Sequence, residues 1–549
     1  MRTNGLSIIF AWLNQMKSLN LFLLFLLCDF CTVGQITYPK DDPKINNPSI
    51  YAFTNAVIHV NSSKTIENAT LIIEKSRIFD IGKNITIPKN AFIIDLKGKH
   101  IYPSFIDEFS SYAMPEVKRS QWSPIPQYET SKKGTVNWNE TIHPETNAID
   151  LLKNDANTAK DLRNIGFGTV LTHAMDGIMR GSGVINTLHD AKEISTVIKS
   201  NFAQFYSFKK GSSQQAYPSS LMGSIALIRQ TLYDAQWYNQ SSTKTESNTS
   251  LEAIHKHNNT PIIFDAADKY NIIRAEKIAK EFNLKFIYKA GGNEYQRLND
   301  IKQISTHFIL PVNFPEAFDV EDYYDAQYIT LAELKHWELA PSNPYAFYKN
   351  KLVFAFTTDG LKDKSAFLTN IKKAIQYGLP ENEALKALTE IPAAILQIQD
   401  LVGTIDKNKL ANFIITNQPL FTDKCVIHEN WVLGNRYEIK PLNGIDLRGE
   451  YNLNINQTIY NLSVTGDFNA PTAEVKLDTV KVKSSVKKDL NTIALAFIAK
   501  DKFYDGPIRL SGTINYDSGS WDGTGQLPDG SVVQWTAIRK DKYKEMEIK

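Results

Sequence analysis

Three regions of the chain differ in the spacing of their apolar residues. Between residues 49 and 103, short apolar runs bounded by turn residues predict a small meander of strands. Between residues 104 and 400, strand-like apolar runs alternate with segments in which apolar residues recur every three or four positions, as they do in helices. From residue 444 to residue 549, apolar and polar residues alternate one by one. The pattern therefore predicts an α/β protein with an added β-domain.

The middle region repeats a strand followed by a helix. Such units imply a parallel sheet, and this many of them in one domain imply a (β/α)8 barrel, which we place at residues 104–400. The predicted strands are 167–173, 204–208, 261–266, 285–289, 307–312 and 352–357. The predicted helices are 150–164, 219–238, 270–282, 294–304, 364–377 and 381–398. No helix or strand is predicted for the glycine-rich run at 177–183.

The strict alternation of the last region is typical of strands with one buried face. Tyr451, Leu453 and Ile455 form one such set, and turn residues such as Gly466 and Gly506 separate the sets. We therefore predict an antiparallel β-domain at residues 444–549. Its expected role is stabilisation or docking.

The stretch Ile101–Tyr112 connects the meander to the barrel. After it, residues 112–145 carry several prolines together with Trp122 and Trp138, and they show no helical or strand period. Irregular loops of this length after a barrel strand commonly cover a site. We predict that this segment packs by its aromatic residues over the end of the barrel.

Motifs on both sides of this stretch resemble those of the amidohydrolase superfamily. They include Arg77-Ile-Phe-Asp-Ile-Gly82 before it and Pro103-Ser-Phe-Ile-Asp107 within it. The segment Val402–Tyr437 is similar to the family's exit segment, although Leu410-Ala-Asn412 stands where the family has Asp-Ala-Asp.

The resemblance implies a fold and a domain organisation. Residues 49–103 and 401–440 are expected to form one discontinuous β-sandwich around a metal-binding (β/α)8 barrel, the composite type of imidazolonepropionase-like proteins. The chain also resembles the N-terminal, ligand-poor half of longer exported amidohydrolase-related proteins. The family hydrolyses carbon–nitrogen bonds other than peptide bonds.

The first metal-ligand positions of the family are changed in this chain. In metal-binding members, the aspartate after the first barrel strand is followed by His-x-His. When the chain is aligned on Pro103 and Asp107, the two histidines fall on Phe109 and Ser111. A phenyl ring has no lone pair to give, and a serine hydroxyl is a poor ligand for zinc. The resemblance therefore implies a scaffold without its first two ligands.

Most of the other ligand positions are changed as well. The fourth strand offers Lys209 or Lys210 slightly beyond its end, the fifth has Asp265 where a histidine is expected, and the sixth has Lys289. Only Asp359 matches, at the place of the eighth-strand aspartate that binds metal and shuttles the proton of the attacking water. Asp359 is therefore the one candidate catalytic residue.

An alternative metal set remains open. His173, Asp176, Asp265 and Asp359 all lie near the C-terminal ends of predicted strands, and the carboxyl ends of barrel strands meet at one face. Carboxylates with one imidazole would suit a harder ion than zinc. The more common role of a residue like His173 is a packed, hydrogen-bonded core histidine.

Composition and charge exclude other classes of function. The chain has 549 residues, 42% of them hydrophobic and 22% charged, with a formal net charge of +2. Acidic and basic residues are interspersed, so no one-sided positive field for nucleic acid is expected. The sequence also has no Gly-x-Ser-x-Gly elbow of a serine hydrolase and no glycine-rich phosphate loop.

The first 34 residues have the layout of a signal peptide. The apolar run Leu19–Leu27 follows Lys17 and is interrupted by Asp29, so it is too short to span a membrane. We predict cleavage after Gly34 and a periplasmic or secreted protein. Only Cys425 would then remain, which excludes an intrachain disulfide.

Three functional hypotheses follow. The leading one is a pseudoenzyme of the superfamily, without an expected cofactor, that acts as scaffold or partner for a metal-competent amidohydrolase subunit. The second is an active hydrolase that holds a divalent metal such as zinc around Asp359. The third is a module that binds a small molecule beside Phe109 and Tyr112. No nucleic-acid partner and no membrane span are expected.

Overall fold

The computed structural model describes most of the chain in several stretches. The predicted signal peptide, residues 1–34, and Trp122 lie outside them. The chain divides into two compact units, of which one is Pro48–Gly444 and the other includes Ile445–Lys549. Within the described stretches, no helix has both the length and the apolar character needed to cross a membrane. The described residues are 49–117, 124–240, 246–442, 447–456, 458–466, 471–477, 480–489, 492–515 and 518–542.

Strands from both ends of the larger unit form one eight-stranded sheet. They are β1 (Ile50–His59), β2 (Thr65–Glu74), β3 (Arg77–Gly82), β4 (Phe92–Asp95), β5 (His100–Pro103), β14 (Phe413–Thr416), β15 (Ile427–Val432) and β16 (Asn435–Glu438). Their order is β16-β15-β14-β5-β1-β2-β3, with β4 paired to β1. Because β14 pairs antiparallel with β5, the returning chain is hydrogen-bonded to the strand that precedes the second sheet.

Aromatic residues from the two ends of this unit pack against each other in the first sheet. Phe53 of β1 lies 5.1 Å from Trp431 of β15 and 5.2 Å from Phe413 of β14, measured between ring centroids. All three side chains are fully buried. Burying rings of this size is a large hydrophobic gain, so it stabilises the pairing of segments far apart in sequence.

The second sheet contains the predicted strand–helix units. Its strands are β6 (Phe105–Ser110), β7 (Phe167–Thr172), β8 (Met179–Thr187), β9 (Val197–Ser207), β10 (Ile262–Asp265), β11 (Phe286–Lys289), β12 (His307–Pro311) and β13 (Val353–Thr357). They follow one another in chain order across the sheet. The described α-helices are Ala148–Leu151, Ala156–Asn164, Glu193–Thr196, Leu221–Gln240, Thr249–Lys256, Lys269–Glu281, Leu298–Ile301, Tyr323–Tyr328, Leu331–Leu339, Asn343–Lys349, Phe367–Gln376, Glu381–Leu388 and Glu390–Ile395.

The prediction of a uniformly parallel barrel is wrong at β8. This strand pairs antiparallel with both β7 and β9, whereas the other adjacent pairs in the sheet are parallel. It is formed by the glycine-rich run, which the sequence analysis left without an element. Gly181 has a positive φ of 86°, and a Cβ there would lie 2.1 Å from the carbonyl oxygen of Thr146. Glycine is therefore required, because the preceding loop crosses the strand at backbone contact distance.

Side-chain hydrogen bonds join the two edge strands of the second sheet. Thr357, at the end of β13, donates its hydroxyl to the carbonyl oxygen of Phe109 in β6 at 3.1 Å. The backbone N–H of Thr358 donates to Asp107 at 3.0 Å, and its hydroxyl donates to the same carboxylate oxygen at 2.7 Å. The sheet therefore curls until its first and last strands meet.

The other unit is a closed barrel of eight antiparallel strands. They are β17 (Gly449–Ile455), β18 (Thr458–Gly466), β19 (Pro471–Leu477), β20 (Val480–Asp489), β21 (Thr492–Lys500), β22 (Asp505–Ile514), β23 (Trp521–Gln526) and β24 (Val532–Lys542). β17 pairs with β24, which closes the barrel. The alternating residues Tyr451, Leu453 and Ile455 are fully buried. The predicted antiparallel arrangement is confirmed, and its closure leaves no unpaired edge strand.

Asn430 connects the two sheets of the larger unit. It lies in β15 and is completely buried. Its amide group donates to the carbonyl oxygens of Arg163 at 3.0 Å and Phe167 at 2.9 Å, and its oxygen accepts from the hydroxyl of Ser104 at 2.9 Å. One side chain thus satisfies buried polar groups on both sides of the junction.

The variant Asn430→Ala should lower the free energy of unfolding by about 3 kcal/mol, since it removes the three buried hydrogen bonds that this side chain makes. Urea denaturation would measure this change. The matched control is Asn258→Ala at an exposed position, where a change below about 0.5 kcal/mol is expected. Equal effects of the two variants would show that the junction does not depend on Asn430.

Candidate functional site

Charged residues converge where the strands of the second sheet end. Asp265 is the last residue of β10 and Lys289 the last of β11, and the two are paired in register. In each strand the residue two positions earlier, Ile263 or Ile287, belongs to an apolar cluster inside the sheet. Because side chains alternate along a strand, the two charged residues continue the same inward face. Asp359 follows the end of β13.

Arg180 reaches this group because of the direction of β8. It is the second residue of that strand, and β8 runs opposite to its neighbours. The beginning of β8 therefore lies at the edge where the neighbouring strands end. Sequence analysis missed Arg180, since no element was assigned to the glycine-rich run.

Five residues form the strand-end cluster: Arg180, Lys209, Asp265, Lys289 and Asp359. Asp265 Oδ2 lies 3.2 Å from Arg180 Nη2 and 3.3 Å from Lys209 Nζ. Lys289 Nζ lies 2.5 Å from Asp359 Oδ2 and 3.9 Å from Asp265 Oδ1. Three cations thus surround two carboxylates, and the pairs of the cluster carry one excess positive charge.

The cluster extends from the interior to solvent. The exposed fraction of the side chain is 2% for Arg180, 5% for Asp265, 9% for Lys289, 30% for Asp359 and 61% for Lys209. Burial works to raise the pKa of Asp265, but the charges of Arg180, Lys289 and Lys209 outweigh it and hold the pKa below its usual value. Asp265 is therefore an ionised, buried carboxylate at neutral pH.

Several buried polar atoms at this site have no hydrogen-bond partner among the described residues. They are Nη1 of Arg180, Oδ1 of Asp265 and both ring nitrogens of His173. The His173 ring stacks on Phe205 with 3.5 Å between centroids, and Phe109 contacts it edge-on at 4.6 Å. Burial, followed by the charges of Arg180 and Lys289, lowers the pKa of His173 well below its usual value, so the imidazole is neutral.

Asp107 and Glu108, two neighbouring acids in β6, differ in their hydrogen bonding. Asp107 accepts hydrogen bonds from Thr358 and from the backbone N–H of Phe109. Glu108 is completely buried, and neither of its carboxyl oxygens has a partner among the described residues. Burial, and then the charge of Asp107, raises the pKa of Glu108 well above its usual value. Glu108 is a second residue that the sequence analysis did not single out.

The residues at the family's metal-ligand positions lie in different surroundings. Phe109 is buried, and the Lys289 ammonium lies 5.4 Å from its ring centroid, within the range of a cation–π contact. Ser111 is exposed. Of the two lysines left open on the fourth strand, Lys209 joins the cluster, whereas Lys210 donates to the carbonyl oxygen of Gln215.

The alternative metal set does not form one site. Asp176 accepts hydrogen bonds from the backbone and hydroxyl of Ser212. Asp265 and Asp359 are both paired with Lys289. Within the stretches that the structure describes, no three His, Cys, Asp or Glu side chains are placed to hold a metal ion.

These donors do not fit a divalent metal. The position between the two carboxylates is held by an ammonium group, which has no lone pair and repels a cation. The neutral imidazole of His173 lies between phenyl rings rather than beside the carboxylates. We therefore derive no chemical step through a metal at this site.

Residues 242–436 match the model of the Amidohydrolase family. Among solved structures, an amidohydrolase from Thermotoga maritima MSB8 aligns over 71% of this chain and 100% of its own, with 20% sequence identity and a TM-score of 0.56. The matched segment is thus similar to the Amidohydrolase family, which confirms the family resemblance over residues 242–436. The similarity to the Thermotoga structure shows the shared fold.

Other solved amidohydrolase-superfamily members align less well. A β-aspartyl dipeptidase from Fervidobacterium islandicum AW-1 covers 73% of this chain and 98% of its own, with 14% identity and a TM-score of 0.41. A putative prolidase from Bifidobacterium longum covers 72% and 96%, with 12% identity and a TM-score of 0.41. No curated protein sequence matches the chain.

The variant Glu108→Gln should change how stability depends on pH. Because the folded state binds the Glu108 proton more tightly than the unfolded state, the free energy of unfolding falls as pH rises above the ordinary glutamate value of 4.5. Glutamine does not titrate, so the variant should gain stability over the parent progressively from that pH upward. Denaturation at a series of pH values measures the difference. Glu67→Gln, at an exposed position, is the control and should give a flat difference, and the same flat result for Glu108→Gln would contradict the burial of its proton.

Proposed function

We propose that this amidohydrolase-superfamily protein does not perform metal-dependent hydrolysis and serves as a scaffold or partner for a metal-competent amidohydrolase subunit. The position of Lys289 between Asp265 and Asp359 supports the absence of metal-dependent hydrolysis. Asp359 matches the proton-shuttling aspartate of the family. An ammonium group 2.5 Å from its Oδ2 forms an ion pair with it but supplies no coordination position on which water could be acidified.

The alternative is an active hydrolase that uses Asp359 with an atypical ligand set. It requires Lys289 to move away from both carboxylates so that a cation can replace its charge. Lys289 is only 9% exposed and lies over the Phe109 ring, so this movement would break a buried ion pair. The ion-paired arrangement therefore favours the non-hydrolytic function.

We further propose the finer organisation that the resemblance implies. The eight-stranded sheet of β1–β5 and β14–β16 corresponds in this proposal to the composite sandwich, and the curled second sheet to a distorted (β/α)8 barrel. The layout of residues 1–34 supports export to the periplasm or the medium.

Metal analysis tests the non-hydrolytic half of the proposal. The full chain, purified without chelator, should contain far less than one equivalent of Zn, Fe or Mn, because the two carboxylates at its strand ends are already paired with Lys289. It should also fail to release product from amide and lactam substrates. A metal-competent amidohydrolase handled in parallel is the control. About one or two equivalents of metal per chain, with both metal and activity lost in Asp359→Asn, would establish the active alternative.

An exposed apolar surface supports the partner half of the proposal. Helix Leu331–Leu339 has no buried residue, and Leu331 is 67% exposed. In the preceding helix, Tyr324 is 72% and Tyr328 is 83% exposed. Neighbouring apolar residues left exposed in this way are typical of protein contact surfaces.

The charge around this surface indicates the partner's chemistry. Acidic residues surround it in sequence and outnumber the single lysine, Lys335. The partner's face should therefore be apolar with a basic rim, and we assign it to the metal-competent amidohydrolase subunit. The acidic residues are Glu316, Asp319, Glu321, Asp322, Asp325, Glu333 and Glu338.

Affinity capture from the source cells tests this assignment. The full chain should retain an amidohydrolase that carries an intact His-x-His motif, and the double variant Tyr328→Ser/Leu331→Ser should retain it at least about tenfold less, since both side chains are removed from the contact. Ile459→Ser is the control, because it removes an exposed apolar residue, 61% exposed, from the other unit. Retention of no such enzyme, or equal retention by the double variant, would contradict the partner role.

A further inference from the structure

We propose that the strand-end cluster is a binding site for a small organic monocarboxylate, held where the family holds its metal. This inference rests on the proposed absence of metal. It adds a ligand class to the site, and it identifies Arg180, Lys209 and Lys289 as the residues that would recognise that ligand.

Arg180 has an unused hydrogen-bond donor within the described residues. Arg180 donates Nε to the carbonyl oxygen of Gly177 at 3.0 Å and Nη2 to Asp265 at 3.2 Å. Its Nη1 has no partner among the described residues, although the side chain is only 2% exposed. A guanidinium group buried with a free N–H is poorly satisfied by protein alone, and a carboxylate oxygen is the acceptor that suits it best.

The strand-end cluster contains more cations than carboxylates. Asp265 and Asp359 neutralise two of the three cations that they contact, so one positive charge remains. Of the other acids near this end of β6, burial raises the pKa of Glu108 well above its usual value, and Asp107 accepts hydrogen bonds from Thr358. A singly charged anion completes the balance, whereas a dianion such as phosphate would be repelled by the two carboxylates.

The cations of the cluster lie between solvent and aromatic rings. Lys209 is 61% and Asp359 30% exposed, so the cluster can be reached from solvent. The ring of Phe109 lies beside Lys289, and the neutral imidazole of His173 lies beside that ring. A charged group next to an aromatic wall matches a ligand with a carboxylate at one end and a flat apolar body at the other.

Isothermal titration calorimetry with benzoate and acetate tests the site, with the full chain in EDTA. Benzoate should bind at one site per chain, more tightly than acetate, and its affinity should fall as NaCl is raised. Lys209→Gln should weaken benzoate binding about tenfold, since it removes one charge-assisted hydrogen bond from an exposed side chain that the fold does not need. Lys280→Gln removes a lysine of similar exposure, 71%, from a helix and should leave the affinity unchanged.

Each outcome decides between the inference and the proposed function. No benzoate binding to a metal-free chain would overturn the inference and leave the non-hydrolytic function standing. Inorganic phosphate that displaces benzoate stoichiometrically would overturn the carboxylate class, and equal affinities of Lys209→Gln and the parent would overturn the assignment to this cluster. Benzoate binding that requires added zinc would overturn the inference together with the proposed function.

Discussion

The ammonium group of Lys289 lies between two carboxylates, and the properties of the strand ends depend on it. It lies 2.5 Å from Asp359 Oδ2 and 3.9 Å from Asp265 Oδ1, so a single positive charge contacts both carboxylates. A metal ion would neutralise the same charges but would also bind and acidify water. A lysine on a strand supplies the charge alone.

Buried ion pairs of this kind constrain the fold more than they stabilise it. The attraction between Arg180 and Asp265 is offset by the cost of removing both from water, so the net contribution of the pair is small. Loss of one partner destabilises the folded state by about 3–5 kcal/mol, because it leaves the other charge buried and uncompensated. The buried members of the cluster, Arg180, Asp265 and Lys289, therefore depend on one another, whereas the exposed Lys209 can be removed without leaving a buried charge unpaired.

The antiparallel direction of β8 explains why Arg180 belongs to the strand-end cluster. In a uniformly parallel barrel, only residues at strand ends and in the following loops reach the face where ligands bind. Reversal of β8 brings its beginning to that face, and Gly181 permits the close approach of the loop at Thr146 that accompanies it. A local change in strand direction thus gives the site a buried cation that the usual topology would not offer.

The sequence by itself determined the alternation of strands and helices, the antiparallel character of the last region, and the placement of Asp265, Lys289 and Asp359 near the C-terminal ends of predicted strands. These features follow from the burial of one face of each element, which a period of two or of three to four residues records locally. The tertiary structure alone decided that Lys289 joins Asp265 to Asp359, that Arg180 belongs with them, that Glu108 is buried without a partner, and that the last eight strands close into a barrel. Those pairings join residues up to tens of positions apart. They depend on the order and direction of neighbouring strands, which no local period encodes.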